Sequence, residues 1–231
     1  MKTLSRRTKY KSKTLVSLIA DTSPKSVIAE QYRLIRTNIE FASVDKNIKS
    51  IVVTSPAPGD GKSTTATNLS IVLAQQGKKV ILVDADLRKP SLHYTFKLDN
   101  MDGLTSVLTK KTNLEKAIIK THILNLSILT TGLIPPNPSE LLNSQVMESL
   151  IEELNGKFDY IIFDTPPVLA ATDSQVLANK CDGVIMVITR GKTIRNEAAK
   201  AKKLLYNTKS HQLGVVLNRV EPNASSYSYL Y

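Results

Sequence analysis

The stretch "SIVVTSPAPGDGKSTT" (50–65) decides the fold of this 231-residue chain. Its apolar start predicts a buried strand, its middle a glycine-containing loop, and its end a helix that runs through Gln76 and stops at Gly77. Gly59 and Gly61 allow backbone N–H groups to turn inward around phosphate oxygens, and the helix N-terminus adds partial positive charge. The pattern therefore predicts a phosphate-binding loop (P-loop).

In a P-loop, the lysine after the last glycine reaches the β- and γ-phosphates, and the next hydroxyl binds Mg²⁺. Lys62 and Ser63 occupy these positions, so ATP and Mg²⁺ are the expected ligands. The match to the consensus is imperfect, because Pro56 stands where the first glycine is usual. The loop residues predicted to bind nucleotide are Pro58, Gly59, Asp60, Gly61, Lys62, Ser63 and Thr64.

Strands and helices alternate along the rest of the chain. Further strands are predicted at 79–86, 126–132, 158–167, 183–189 and 213–218. Helices are predicted at 135–156, 173–180 and 193–207, with short helices within 103–120. An earlier helix is predicted to begin with Ser23 as N-cap and Pro24 at its first position.

The order of these elements, with the P-loop after the first strand, indicates an α/β fold of the P-loop NTPase type. Strands separated by helices favour a mostly parallel central sheet, and apolar strands without alternation favour burial under helices on both faces. Ligands bind at the carboxyl ends of strands in such sheets. We expect one P-loop domain at 23–220, between a basic flexible arm at 1–22 and a flexible tyrosine-rich tail at 221–231.

Three aspartates end two of the predicted strands. Asp84 and Asp86 close "VILVDAD" (80–86), and Asp164 closes "YIIFD" (160–164). Beside a P-loop, one such carboxylate is needed to hold Mg²⁺, and another could accept a proton from an incoming hydroxyl. The alternative is that each caps a turn or a following helix.

The composition of the chain excludes several other classes of protein. One cysteine, Cys181, excludes an intramolecular disulfide framework and CxxC metal sites, and together with the absence of a signal peptide it suggests a cytoplasmic setting. No apolar run approaches the ~18–20 residues that span a bilayer. The net charge is +11, and six basic residues precede the first acid, Asp21. That run attracts polyanions or is simply a solvated terminus, and no basic–aromatic interleaving points to a specific nucleic acid.

The segments "SPAPGDGKST" (55–64), "VDADLRKP" (83–90) and "IIFDTPP" (161–167) resemble the Walker A, A′ and B motifs of the bacterial tyrosine kinases (BY-kinases) of capsule and exopolysaccharide synthesis. "EQYRLIRTNI" (30–39) and "PPNPSELL" (135–142) also resemble that family. The resemblance covers residues 23–231 and implies a non-specific protein-tyrosine kinase. It implies that Asp84 is the base, that Asp86 and Asp164 handle Mg²⁺ with Ser63, and that Lys62 stabilises the transferring charge.

The tail "SSYSYLY" (225–231) carries three tyrosines. By resemblance, Tyr227, Tyr229 and Tyr231 are the phosphate acceptors, and the tail of one subunit enters its neighbour's site. The alternative is an aromatic terminus that docks on the domain. "EPNASS" (221–226) favours the first interpretation, because it is typical of a flexible spacer.

The resemblance also implies an assembly and partners. Glu30, Arg33 and Arg36 match a triplet that mediates subunit contacts in a homo-oligomeric ring, an octamer being one size considered, although a pair within the helix is the simpler interpretation. A separate membrane-bound activator, a chain-length regulator, would recruit the chain to the inner face of the cell membrane. Polysaccharide-synthesis enzymes would be further substrates, with a cognate phosphatase opposing the kinase.

The resemblance extends in fold to the deviant Walker ATPases of septum placement and plasmid partition, which suggests one nucleotide contact and one rival function. By resemblance, Asn218 and Arg219 lie where the deviant Walker ATPase superfamily contacts the adenine base of the nucleotide, though Asn218 could equally cap a turn. A positional or partitioning ATPase is the alternative function, but such proteins carry a signature lysine where Ala57 stands here. A non-enzymatic adaptor would not need the full set of Lys62, Ser63 and three aspartates.

Overall fold

The computed structural model describes residues 16–42 and 47–220. The strands are β1 (Ser50–Thr54), β2 (Val80–Asp84), β3 (Ile119–Lys120), β4 (Leu126–Leu129), β5 (Tyr160–Asp164), β6 (Gly183–Thr189) and β7 (His211–Asn218). The helices are α1 (Ile19–Thr22), α2 (Val27–Ala42), α3 (Lys62–Gln75), α4 (Leu92–Phe96), α5 (Leu104–Leu108), α6 (Leu114–Ala117), α7 (Pro138–Asn143), α8 (Gln145–Lys157), α9 (Asp173–Ala178) and α10 (Arg195–Tyr206).

The strands form a single sheet in the order β3-β4-β2-β5-β1-β6-β7. All neighbouring pairs are parallel except β3 with β4, which run antiparallel. Because β5 lies between β1 and β2, the carboxyl ends of these three strands are side by side. This order brings the P-loop after β1, Asp84 at the end of β2 and Asp164 at the end of β5 to one edge of the sheet.

Helices cover both faces of the central strands, as the predicted α/β fold requires. Successive strand residues point to opposite faces, so Ile51 and Val53 pack with α3, whereas Val52 and Phe163 belong to the core on the side of α8 and α9. Every residue of β1 and β2 is buried. The predicted P-loop NTPase architecture is confirmed.

Several predicted boundaries differ from the structure. The helix predicted at 135–156 is two helices, because the Ser144 hydroxyl accepts a hydrogen bond from Met147 N and starts α8 anew. The second helix then continues past Asn155-Gly156 to Lys157. The short strand β3, within the stretch predicted as helical, was missed because two residues carry no periodic pattern.

The first packed segment begins earlier than predicted. The boundary at residue 22 is wrong, since α1 lies on α3 and wholly buried Ala20 donates its N–H to Asn68 Oδ1 at 2.9 Å. The next helix starts at Val27 rather than at Ser23-Pro24, because the Ser26 hydroxyl accepts from Ala29 N.

The strand β7 differs from the other long strands. Burial on both faces was expected, but β7 is an edge strand, and Val215 and Leu217 are about half exposed. An apolar run alone does not distinguish an edge strand from a central one.

In the described part of the chain, none of the helices combines the length and the apolar character needed to cross a bilayer.

Candidate functional site

The P-loop turns between β1 and α3 on two glycines. Gly59 has φ +78° and Gly61 has φ +93°, in the left-handed region that side chains other than glycine rarely adopt. A Cβ atom on Gly61 would also lie 2.0 Å from Asn218 Nδ2. Both the backbone conformation and the close approach of Asn218 therefore require glycine at this position.

The loop is fixed from behind by residues of β6, β7 and the turn after β6. The backbone oxygen of Asp60 accepts hydrogen bonds from Thr189 Oγ1 at 2.9 Å and from Asn218 Nδ2 at 3.1 Å. Lys192 Nζ donates to Pro58 O at 2.6 Å and lies 3.5 Å from the Asp60 carboxylate. These contacts hold the loop in shape before any phosphate binds.

A cavity of about 600 Å³ opens over the loop, within the range of small-molecule sites. Its lining includes every residue predicted to bind nucleotide except Asp60, and adds Asp86. Asp60 is wholly buried, and its carboxylate accepts from Ala57 N, so it acts within the loop. The structure thus brings together the predicted loop residues and the distant pair Asn218 and Arg219.

Lys62 lies between two carboxylates at the floor of the cavity. Its Nζ is 3.0 Å from Asp86 Oδ2, 3.5 Å from Asp164 Oδ1 and 3.4 Å from Ser63 Oγ. Burial lowers the pKa of Lys62, but the charges of Asp164 and Asp86 outweigh it and the pKa is raised. Lys62 therefore keeps its positive charge at the point where the P-loop meets the acidic strand ends.

Asp84 and Asp164 are wholly buried neighbours at the ends of β2 and β5. Burial, reinforced by the charge of Asp164, raises the pKa of Asp84 to about 7. Burial likewise raises the pKa of Asp164, although the charge of Lys62 opposes this. Two neighbouring carboxyl groups that are both buried from solvent cannot both ionise easily, so one of them can keep its proton near neutral pH.

Asp84 and Asp86 have different surroundings although they are two residues apart. Asp84 Oδ2 accepts from the backbone N–H groups of Ser91 and Leu92, both at 3.0 Å, which places Asp84 under the segment 88–91. Asp86 lines the cavity, and its Oδ1 accepts from Lys89 N at 3.0 Å. Of the two, Asp86 is the one in direct reach of a ligand in the cavity.

The polar groups at this edge fit a Mg²⁺–nucleotide complex. Among the described residues, Asp164 Oδ2 and Asp84 Oδ1 are buried without a hydrogen-bond partner. Such oxygens are costly unless water or an ion satisfies them. Within the described ranges, no group of three or more His, Cys, Asp or Glu side chains is arranged to bind a metal ion. Mg²⁺ in nucleotide sites, however, needs only one or two carboxylates, because waters and phosphates complete its coordination shell.

Several site residues carry no local sequence signal. Lys192 and Thr189 brace the loop from more than a hundred residues away. Arg88 donates through Nε and Nη2 to both oxygens of buried Asp173, at 2.9 and 3.0 Å, and Ser139 donates to the same carboxylate. The one sequence feature that points to Arg88 and Ser139 is that they lie within the segments 83–90 and 135–142, which resemble the BY-kinases.

The residues predicted for subunit contact have partners within the chain. Arg33 Nη1 lies 2.7 Å from Glu30 Oε2 and its Nη2 donates to Pro24 O. Arg36 Nη1 donates to Val72 O of α3 at 3.1 Å. The pair within the helix therefore exists, while Glu30 remains half exposed. The predicted acceptors Tyr227, Tyr229 and Tyr231 lie outside the described residues.

Residues 48–194 match a family model described as "AAA domain", which is about two thirds of the chain. The chain is 55% identical over 202 residues to the tyrosine-protein kinase YwqD of Bacillus subtilis (strain 168). That match covers 87% of this chain and 85% of the relative.

Solved structures give the same result. The chimerical protein CapA2B2 matches with a TM-score of 0.87 and 44% identity, covering 91% of this chain and 92% of that one. The kinase domain of the Escherichia coli tyrosine kinase ETK matches with a TM-score of 0.86 and 31% identity, covering 94% and 85%. A septum site-determining protein MinD from Pyrococcus horikoshii, of the rival class, matches less well, with a TM-score of 0.64 and 26% identity.

Proposed function

This chain belongs to the bacterial tyrosine-protein kinases, and from that premise we propose that it transfers the γ-phosphate of ATP to the tyrosines of its own C-terminal tail. That it is an ATP-dependent protein-tyrosine kinase of capsule or exopolysaccharide synthesis follows from its relatives. The acceptors, the residue roles, the assembly and the partners are the proposal.

The observation that carries the proposal is the position of Lys62. Its ammonium group is held between Asp86 and Asp164, directly after a P-loop whose shape is fixed from behind. Positive charge fixed in advance where negative charge develops is the main catalytic device of phosphoryl transfer. When nucleotide binds, Lys62 would leave its carboxylate partners for the β- and γ-phosphate oxygens.

Ser63, Asp86 and Asp164 would hold Mg²⁺ directly or through water. When bound, the ion would neutralise charge between the β- and γ-phosphates. When Lys62 leaves Asp86 and Asp164, Mg²⁺ would take its place as their cation. The buried charges of these two carboxylates would therefore stay paired. Asn218 and Arg219 would border the rest of the nucleotide, since both line the same cavity.

Asp84 is proposed as the general base. A phenol has a pKa near 10 and is scarcely ionised at neutral pH, so removing its proton assists attack. The tyrosine oxygen forms a bond to the γ-phosphorus, the bond to the bridging oxygen of ADP breaks, and the phenolic proton moves to Asp84. Because Asp84 is wholly buried and hydrogen-bonded to the backbone of Ser91 and Leu92, this step requires that turn to open when the substrate tyrosine binds. A pKa of about 7 suits this task, and Asp84 Oδ1 has no hydrogen-bond partner in the described part of the chain.

We propose that the transfer occurs between subunits. The tyrosines Tyr227, Tyr229 and Tyr231 would enter the site of a neighbouring copy in a homo-oligomeric ring, for which an octamer is one candidate size. Glu30, Arg33 and Arg36 would contact the neighbour from the exposed side of α2. A tail phosphorylated on several tyrosines would then weaken assembly by repulsion from the acidic site.

A membrane partner is the remaining part of the proposal. A separate membrane-bound activator, the chain-length regulator, would recruit the kinase from the cytoplasm to the inner face of the cell membrane. Enzymes of polysaccharide synthesis would be its other substrates, and a cognate phosphatase would reset the tail. No specific nucleic acid is expected, despite the net charge of +11.

The experiment that tests this function uses mass spectrometry of the C-terminal peptide. The purified chain is incubated with Mg-ATP, with and without the cytoplasmic tail of the activator. Phosphate on Tyr227, Tyr229 or Tyr231 that is absent from Lys62→Met supports the proposal. An unmodified tail under both conditions, with ATP hydrolysis still rapid, would contradict it.

A further inference from the structure

A second cavity of about 530 Å³ lies next to the nucleotide cavity. It is bounded on one side by the segment 88–94 and on the other by the loop 132–134 that follows β4. Arg88, Lys89 and Ser91 line both cavities, so the segment 88–91 is their common wall. Nothing in the proposed phosphoryl transfer uses this second cavity.

The lining of the second cavity combines apolar surface with positive charge. Leu133, Ile134 and Tyr94 lie in it with large parts of their side chains exposed. Lys89 adds an ammonium group for which the described residues offer no hydrogen-bond or ion-pair partner. No acidic residue of the described chain lines this cavity.

The loop that forms the far side is held in place. Asn100 accepts from Gly132 N at 2.9 Å and donates to Gly132 O at 3.0 Å, which fixes the backbone next to Leu133 and Ile134. The apolar surface is thus presented by a bonded turn. Two neighbouring apolar side chains on a fixed turn give a small surface against which an aromatic ring can pack.

The common wall also connects this cavity to the proposed base. Asp84 accepts hydrogen bonds from Ser91 N and Leu92 N, so it lies directly under the segment 88–91. A tail whose acceptor tyrosine enters the nucleotide cavity lies next to this wall, because Arg88, Lys89 and Ser91 line both cavities. Residues on one side of that acceptor then reach the second cavity.

From these observations we propose that the second cavity binds a phosphorylated tyrosine two residues from the acceptor, in the tail of a second copy of this chain. The proposal rests on the proposed function. In an extended segment, residues i and i+2 point to the same face about 7 Å apart, and Tyr227, Tyr229 and Tyr231 have this spacing. The aromatic ring would pack on Leu133 and Ile134, and the phosphate dianion would pair with Lys89.

This site would make tail phosphorylation self-reinforcing. An unmodified tyrosine gains only the apolar contact, whereas a phosphotyrosine also gains charge-assisted hydrogen bonds. The first phosphate on a tail would therefore help to place the next acceptor tyrosine.

Peptide binding tests the inference independently of turnover. Fluorescence anisotropy would compare two labelled peptides of residues 221–231, one unmodified and one phosphorylated at Tyr231, on the full-length chain. Saturating Mg-ADP keeps the phosphate out of the P-loop. We expect the phosphopeptide to bind about tenfold more tightly, the equivalent of one good charge-assisted contact.

Variants then locate the binding site. Lys89→Gln should reduce the preference to about twofold, and Ile134→Glu should abolish it by removing apolar contact and adding like charge. Lys116→Gln and Leu124→Glu, at exposed positions away from both cavities, are the matched controls and should keep the preference.

Two results would overturn the inference. One is equal affinity for the two peptides, and the other is a preference that survives Ile134→Glu. Either result leaves the proposed function intact if mass spectrometry still finds phosphate on the tail. A tail that is never phosphorylated contradicts the proposed function instead, whatever the peptides bind.

Discussion

Two ion pairs in this molecule have similar geometry and very different surroundings. Lys62 and Asp86 lie 3.0 Å apart with side chains 11% and 8% exposed. Arg33 and Glu30 lie closer, at 2.7 Å, but are 29% and 52% exposed. Water screens the second pair, so its shorter distance contributes little to stability. Burial, rather than distance, therefore marks the pair at the P-loop as the one with chemical consequences.

The largest effect is expected from Lys62→Met. Lys62 would stabilise charge on the β- and γ-phosphate oxygens, and removing one such group typically costs two to three orders of magnitude in rate. We expect kcat for tail phosphorylation to fall about a thousandfold, with the fold retained in circular dichroism. Lys116→Met, an exposed lysine on α6, should keep full activity. Comparable loss in both variants would mean that the position of Lys62 is unimportant.

The second prediction concerns Asp84→Asn. Loss of a general base should lower kcat about a hundredfold. In the unmodified chain the rate should rise with pH through about 7, because only ionised Asp84 accepts the proton and burial raises its pKa to about 7. The variant should lose this rise. A variant that keeps the same pH profile would show that Asp84 is not the base.

The same variant has an opposite effect on stability. The pKa of Asp84 is about 7 in the fold, against 3.8 for the ordinary group. The unfolded chain therefore releases this proton first, and the stability contributed by protonated Asp84 is lost as pH rises from about 4 to about 7. Asp84→Asn should raise the melting temperature at pH 8, and the gain should shrink toward pH 4. A destabilised variant at pH 8 would contradict the burial of an ionising carboxylate.

A third prediction concerns a pair of intermediate exposure. Arg88 is partly exposed, but its partner Asp173 is wholly buried. Arg88→Met would leave that carboxylate without its cation and should cost about 2 kcal/mol of unfolding free energy in urea titrations. Adding Asp173→Asn should recover part of the loss, because the buried charge is then gone. No recovery in the double variant would show that Arg88 acts through packing instead.

The smallest effect on stability is expected from Arg33→Ala. An exposed pair at i and i+3 contributes only about 0.3–0.5 kcal/mol. If Arg33 contacts a neighbouring subunit, light scattering should nevertheless show a smaller oligomer at unchanged melting temperature. An unchanged oligomer would remove Arg33 from the proposed subunit contact.

The sequence predicted those parts of the site whose signal is local. The P-loop glycines, Lys62, Asp84 and Asp164 follow from patterns a few residues long, and the order of elements predicted the parallel sheet. Asp86 was predicted at the end of the same strand as Asp84, but β2 ends at Asp84 and Asp86 lies in the following loop. The resemblance to the BY-kinases, drawn from the order of the motifs, agrees with the relatives.

Other features depend on contacts between distant segments. Lys192 and Thr189 reach the P-loop across 134 and 129 residues, and Arg88 reaches Asp173 across 85. The edge position of β7 depends on which strands are its neighbours in the sheet, and the apolar residues of β7 itself do not determine those neighbours. The different environments of Asp84 and Asp86 likewise arise from the turn at 88–92, which no periodicity reveals.

The most direct test of the account mixes two inactive partners. One is Lys62→Met, which has an intact tail but no active site. The other carries Tyr227→Phe, Tyr229→Phe and Tyr231→Phe, and so has an active site but no acceptor. With Mg-ATP, we expect phosphate on the tail of the Lys62→Met chain in the mixture and none in that chain alone. An unphosphorylated tail in the mixture, under conditions where the unmodified chain phosphorylates itself, would contradict transfer between subunits.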